Sequence, residues 1–449
     1  MAPPAFETKT ADLFDLFEQL LPASELESFD VGHARIFTTW MVVWLMVYQR
    51  THEAAPMAAA VAEMLLGATS TRLPECKRAR EGEISLNTGA YSQARSDLPV
   101  AAAQHAIDVT SQAMIDTEPL TWNGRRTFLI DGTSATTART PELVKAFPPA
   151  TNQHGESHWP VVRIVTAHEL SSGLAIRPGS GPMYGPNAVS ETELARQMLD
   201  RLGGSAMIVY DRNFGIFAMT SAAVDAGHDV LARLTDARFE ALRRQAVAVG
   251  PGEWTLDWRP TPYERRSHPQ LPADALVRGR LIEVTIEHQG QTIVLRLFTT
   301  DLTSTPQELA ALYARRWSIE GDIKSVKQTL GLDRLSCHSV DMIAKEMALA
   351  MVAYNLVIQV RRLAARRVGL EPRQLSFSRV LHLVQAFCSG LGSARTPEEI
   401  DRRFERLLKA AAQCRLPRRQ KFRSYPRQVV PRRRKFPERP RQIVNINTK

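Results

Sequence analysis

The chain has few cysteines, no long apolar run and, at one end, almost no acids, and each scarcity removes a class of protein. Four cysteines, Cys76, Cys337, Cys388 and Cys414, are scattered through 449 residues without CxxC or Cys/His spacing. That pattern argues against a zinc module and fits reduced thiols in a cytosolic protein. The most apolar stretch, Phe37 to Tyr48, is too short to span a bilayer and lies too far in to be a signal peptide, so a buried helix and no membrane partner are expected. No internal repeat is visible. From Arg415 to Lys449 thirteen Lys and Arg face a single acid, Glu438, which outweighs the formal net charge of +10 of the whole chain. With a pI of about 9.6, the balance favours a polyanionic partner, and the tail reads as a solvated segment able to touch phosphate.

What is present is ample apolar material, 44% of the residues, in a chain longer than one core usually holds, so several domains are expected. Residues 1 to about 120 carry helical signals, in DLFDLFEQLLP, in the apolar run and in PMAAAVAEMLLG. Gln93 and Arg95, in TGAYSQARSD, suit base edges and phosphates, although a plain helix start reads equally well. From Thr127 short β-branched runs take over: TFLID, VVRIVTA, a Gly/Pro-rich stretch, a helix over Glu191 to Leu202 and the strand AMIVY. A β-rich block follows from about 224 to 300, with LIEVTIEH and TIVLRLF on either side of a turn at Gln289-Gly290. Helices return after Pro306 and again from Val340 to Arg367.

Asp131 closes the apolar run FLI and Asp211 closes MIVY. Both are expected where a strand leaves the sheet, the common ligand crevice of sheet-based enzymes. A third acid lies in LYARRWSIEGDIKSVK, where Tyr313, Arg316, Glu320 and Lys327 fall within an arc of about 60° on a helix. Three such carboxylates can hold two hard divalent cations, Mg²⁺ or Mn²⁺, about 4 Å apart for an in-line displacement at phosphorus. Arg316 and Lys327 would contact phosphate oxygens, and Tyr313 would hydrogen-bond a phosphate or help place the strand. Clustered carboxylates repel unless neutralised, so strict dependence on the metal is expected.

The spacing Tyr313-x2-Arg316-x3-Glu320-x6-Lys327 resembles the Tyr-Arg-Glu-Lys signature of insertion-sequence-four type DDE transposases. The likeness extends to Trp317, to Asp-Gly-Thr at Asp131, to Asp211-Arg212 and to Ala353-Tyr354-Asn355-Leu356, and covers roughly residues 85 to 360. It implies an α+β fold: a ribonuclease-H-like mixed-sheet catalytic core over 121–375, interrupted at about 224–300 by the β-rich insertion. A helical DNA-binding domain over 1–120 and a helical C-terminal region with the basic tail over 376–449 would flank it. The resemblance further implies catalytic, metal-holding roles for Asp131, Asp211 and Glu320, with DNA contacts from Tyr313, Arg316, Trp317, Arg212 and Lys327. It implies double-stranded DNA as partner, both terminal inverted repeats and target, with a synaptic homodimer in the bacterial cytoplasm near the nucleoid. Excision would pass through a DNA hairpin, for which Trp254 and Trp258 are candidates to hold a flipped base, although both read more simply as core aromatics. A transposase-derived DNA-binding protein that no longer cuts is the alternative, and a nuclease that cuts without rejoining is a second. Acids at all three positions argue against the first of these.

Overall fold

The computed structural model describes residues 13–30, 36–52, 54–66, 73, 77–153, 155–288, 291–391 and 396–417. Most of the basic tail, the Gln289-Gly290 turn and Cys76 lie outside these. The chain opens with helices α1 (Leu13–Leu20), α2 (Thr39–Thr51), α3 (Met57–Leu66), α4 (Lys77–Arg80), α5 (Gly89–Asp97) and α6 (Val100–Ile115). The apolar run is α2, buried from Thr39 through Val47 and started by Thr38, whose hydroxyl accepts from the Met41 amide. A β-branched cap before an apolar run stops fraying where the run begins.

Strands then dominate: β1 (Arg126–Thr136), α7 (Pro141–Ala146), β2 (Pro149–Asn152), β3 (Gly155–Glu169), β4 (Gly179–Pro182), α8 (Glu191–Arg196), β5 (Ala206–Tyr210), α9 (Phe217–Asp225), β6 (Asp229–Arg233) and α10 (Asp236–Arg243). The β-rich block contributes β7 (Val247–Gly250), β8 (Glu253–Trp258), α11 (Pro262–Ser267), β9 (Val277–His288) and β10 (Gln291–Thr299). Among the described residues the ten strands form one sheet in the order β2-β3-β1-β5-β6-β10-β9-β8-β7, with β4 on β3. Strands β1, β5 and β6 are parallel and the others antiparallel. β6 and α10 also fall within the 224–300 span; β6 pairs in parallel with β5, and β10 on β6 extends the same sheet, so the span joins the core sheet and includes helices as well as strands. The fold is α+β with an open mixed sheet.

Helices α12 (Pro306–Ala314), α13 (Ser318–Lys324), α14 (Val340–Arg366), α15 (Phe377–Leu391) and α16 (Pro397–Ala412) complete the described chain. Side chains alternate across a strand, and the two cores follow that alternation. Leu129, Met207, Val209 and Leu231 share one face with Leu309, Leu312, Tyr313 and Ile319 of the α12–α13 segment. Phe128, Ile130, Ile208 and Tyr210 point to the other face, into the larger core that also takes in α2, α6 and α14. Helix α14 is long and apolar enough to cross a bilayer, but 94% of its most apolar window is buried inside the protein, which explains its composition by packing.

Candidate active site

Register brings the two aspartates together. In the parallel β1–β5 pair the last paired residues are Ile130 and Tyr210, so Asp131 and Asp211 follow directly from neighbouring strands, and Asp211 is close enough to raise the Asp131 carboxyl. Asp131 follows the parity of Leu129, towards the face covered by α12 and α13, and Asp211 also acts on the Tyr313 hydroxyl of that segment. The expectation that Asp131 ends its strand needs correction. β1 continues to Thr136, held by antiparallel pairing to β3, with Asp131 opposite Thr166. What stops at Asp131 is the pairing to β5, because Asp211 begins a turn in which its carboxylate accepts from the Asn213 amide at 2.9 Å.

The Tyr-Arg-Glu-Lys segment is also not one regular helix. Arg315–Trp317 is 3₁₀ and Ser325–Thr329 is π, and tightening by one and widening by the other rotates the row away from a single stripe. Tyr313 and Arg316 are buried, Lys327 is half-buried in the π turn, and Glu320 is exposed. The Lys327 carbonyl accepts from the Asp333 amide, and the Asp333 carbonyl accepts from the Thr136 amide. Lys327 therefore lies towards the far end of β1.

Arg316 is the hub. One guanidinium nitrogen lies 3.7 Å from Asp131 Oδ2 and the other 3.9 Å from Glu320 Oε1. Its Cζ stands 5.9 Å from the centre of the Tyr313 ring, and its charge draws the Tyr313 hydroxyl downward against the effect of burial. Trp317 meets Tyr313 edge-on at 6.2 Å. Burial pushes the Asp131 carboxyl up to about 6; the Gly132 amide and Arg316 pull it down, while Asp211 and Glu191 push it further up. Burial likewise raises the Tyr313 hydroxyl.

Glu191 is an acid that the sequence did not single out. Its carboxylate rests on Gly132, where an added Cβ would come within 2.5 Å of Oε1, so the glycine after Asp131 leaves room for a fourth carboxylate. As the first residue of α8 behind the cap Ser190, Glu191 looks like an ordinary helix-start acid, and nothing in its spacing sets it apart. Among the described residues, no three acids, histidines or cysteines stand close enough to share one metal ion. The donor chemistry, all carboxylate oxygen, suits a hard divalent cation, while the guanidinium of Arg316 holds the place between Asp131 and Glu320.

Five further residues singled out in the sequence lie as follows. Trp258 is 1% exposed and packs against Phe217 and Phe298, with ring centroids 5.7 and 4.8 Å away, so it is a core residue with no face open to a base. Trp254 is half-buried, edge-on to Phe239 and beneath Arg243. In α5, Arg95 reaches towards Cys337 Sγ at 4.0 Å and Gln93 donates to Asp97, so Arg95 turns inward, as the plain-helix reading has it. Arg212 is exposed next to Asp211.

The elements that bear the three acids all fall within residues 122–356, the span matched by the model of the Transposase DDE domain, and the chain belongs to that transposase family. It is 30% identical over 348 residues to the transposase InsG for insertion sequence element IS4 of Escherichia coli (strain K12), an overlap that takes in 76% of each chain. That likeness puts it with the insertion-sequence-four type, whose substrate is DNA and whose family uses divalent metal ions.

Proposed function

We propose that this transposase cleaves DNA at the ends of a mobile element and joins those ends to target DNA, with Asp131, Asp211 and Glu320 as its catalytic acids. The observation that carries this reading is the parallel register that sets Asp131 beside Asp211 under the segment bearing Glu320. Strands β3, β1, β5 and β6, with α12 and α13 laid on one face, support a ribonuclease-H-like core. The three carboxylates would hold Mg²⁺ or Mn²⁺, two ions in the full reading. Bound there, the ions would activate the attacking oxygen and steady the leaving one at phosphorus.

The chain's own part is placement and charge. Arg316 is paired loosely with Asp131 and Glu320, beyond hydrogen-bond length to both. On DNA binding it would turn its planar fork to a phosphate beside the cut and leave the acids free to hold the divalent cations that would offset their repulsion. Lys327 would meet a neighbouring phosphate as a point charge, and Tyr313 would brace Arg316 from below. Trp317 and the exposed Arg212 would line the same strand. Water would be the first nucleophile and a DNA 3′-hydroxyl the later one.

A hairpin route of the cut-and-paste kind would need an aromatic to shelter a flipped base, and of the two tryptophans in the block Trp254 is the one with an accessible edge. The helices up to about residue 120 would recognise terminal repeats. The region from 376, with its basic tail, would aid synapsis in a homodimer through salt-sensitive phosphate contacts.

Asp131→Ala, Asp211→Ala and Glu320→Ala are each expected to abolish cleavage of an end-bearing duplex while end binding, measured by gel shift, stays near that of the parent. Retained cleavage in any of the three overturns the assignment. Strand transfer from pre-cut ends separates a transposase from an enzyme that only hydrolyses.

A further inference from the structure

Glu320 sits on a helix that cannot hold its own position. α13 has seven residues and is flanked by the 3₁₀ turn Arg315–Trp317 and the π turn Ser325–Thr329, so neither neighbour extends its hydrogen-bond register. Ile319 and Asp322 are the buried residues of α13, and Asp322, 4% exposed, lies about 200° around the helix from Glu320.

Asp322 is gripped from two sides. Its Oδ2 pairs with Arg373, from the short turn after α14. The hydroxyl of Tyr354, on α14, points at its Oδ1 at 3.3 Å and at the Gly173 carbonyl at 2.9 Å. Arg373 spends its remaining donors on backbone: Nη1 also reaches the Ser318 carbonyl at 3.4 Å, Nε the Leu170 carbonyl at 2.6 Å and Nη2 the Glu169 carbonyl at 2.9 Å. It thus holds the first residue of α13 and the buried acid one turn on, and fastens both to the end of β3. β3 in turn pairs with β1, Glu169 opposite Phe128 and Thr166 opposite Asp131. The turn after β3 has been shaped around this contact. Gly173 has φ +85°, and an added Cβ would stand 2.8 Å from Asp322 Oδ1 and 2.9 Å from Arg361 Nη2.

A buried ion pair of this kind is a poor device for stability alone, since apolar residues of similar volume commonly do as well or better. What a hydrogen-bonded bracket supplies is a single geometry. We propose that Asp322, Arg373 and Tyr354 are positioning residues that fix the helix bearing Glu320 against the β3–β1 pair bearing Asp131, and so set the separation of the two acids. The inference rests on the catalytic reading of Glu320 given above, but its structural half can be read without DNA or metal.

The double variant Asp322→Leu/Arg373→Met replaces the pair by apolar groups. It is expected to fold and to bind ends normally, with a lower melting temperature, because the buried Arg361 loses a facing acid and three carbonyls lose the Arg373 donors. Amide hydrogen exchange across residues 318–324 should quicken about tenfold or more, and cleavage should fall by about a hundredfold, the scale of a misplacement near 1 Å. Arg373→Lys, which keeps the charge but not the fork, is expected to fall between the two. Unchanged exchange over 318–324, or parent-like cleavage despite faster exchange, overturns the proposal. Should the double variant fail to fold, Tyr354→Phe carries the same test by removing one hydroxyl, with both effects smaller and the same two results overturning it. Glu320→Ala run alongside keeps the two readings apart: cleavage surviving in that variant refutes the catalytic role, whereas faster exchange in the bracket variants is read independently of it.

Discussion

Two arginines meet the same short helix from opposite sides, and they are built differently. Arg373 faces the core with Nε, Nη1 and Nη2 all committed, to Asp322 and to three carbonyls. Arg316 faces the sheet end with its two acids at 3.7 and 3.9 Å, and its buried Nε has no hydrogen-bond partner. A saturated guanidinium defines one geometry and resists change. A loosely held one, near acids that repel each other, is ready to trade partners. The difference separates an arginine that fixes the segment bearing Glu320 from one within that segment that is free to exchange partners.

The comparison is broken most directly through stability. Arg373→Ala breaks the buried ion pair with Asp322 and is expected to cost about 3–5 kcal/mol, whereas Arg316→Ala is expected to cost about 1 kcal/mol, the scale of one ordinary hydrogen bond. Urea unfolding of both variants checks this, and equal losses would erase the distinction. A smaller effect is expected at Asp131, whose carboxyl titrates at about 6 in the folded protein against about 3.9 in an unfolded chain. The folded state therefore holds this proton more tightly, so stability is greatest below the unfolded value and declines as pH rises from about 4 to 6. Asp131→Asn is expected to stabilise the protein without added metal by about 2–3 kcal/mol above pH 6 and by little at pH 4, as read from melting curves at the two pH values. A gain of equal size at both would show that burial of the charge is not the cause. The smallest effect belongs to Glu191. Glu191→Gln removes one of the charges that oppose ionisation of Asp131, so carboxyl-carbon NMR should show Asp131 titrating at lower pH, and no movement would place Glu191 outside the site's electrostatics.

The acids were legible in the sequence because each closes or interrupts a strong pattern: Asp131 after FLI, Asp211 after MIVY, Glu320 within a spaced row of charged and aromatic residues. The strands before the aspartates and the strand character of the β-rich block follow from apolar, β-branched runs, whereas the block's joining the same sheet through β10 on β6 was not legible. Continuation of β1 past Asp131 was not legible, since Gly132, Thr133 and Ser134 look like a turn and become strand only through pairing with β3. Nor were the 3₁₀ and π turns that bend the Tyr313–Lys327 row, for they depend on how the segment packs and joins the end of β1 through Leu335 and Thr136. The burial of Trp258 agrees with its plainer reading as a core aromatic. The bracket on Asp322 was hidden because it is set by residues more than thirty positions away, Arg373 and Tyr354. The Tyr354-Asn355 pair was visible as a motif, but its use was not: Asn355 clasps the Ala175 amide and carbonyl at 2.8 and 2.7 Å, docking α14 on the turn that Tyr354 also holds.

A crystal of the protein with a cleaved end duplex and Mn²⁺, with the manganese located by anomalous scattering, puts the shared-acid site to the question. Manganese bound by oxygens of Asp131, Asp211 and Glu320 together, with Arg316 moved onto a phosphate, is the expected result. Manganese held elsewhere, or Glu320 left paired with Arg316 while DNA occupies the site, would contradict it.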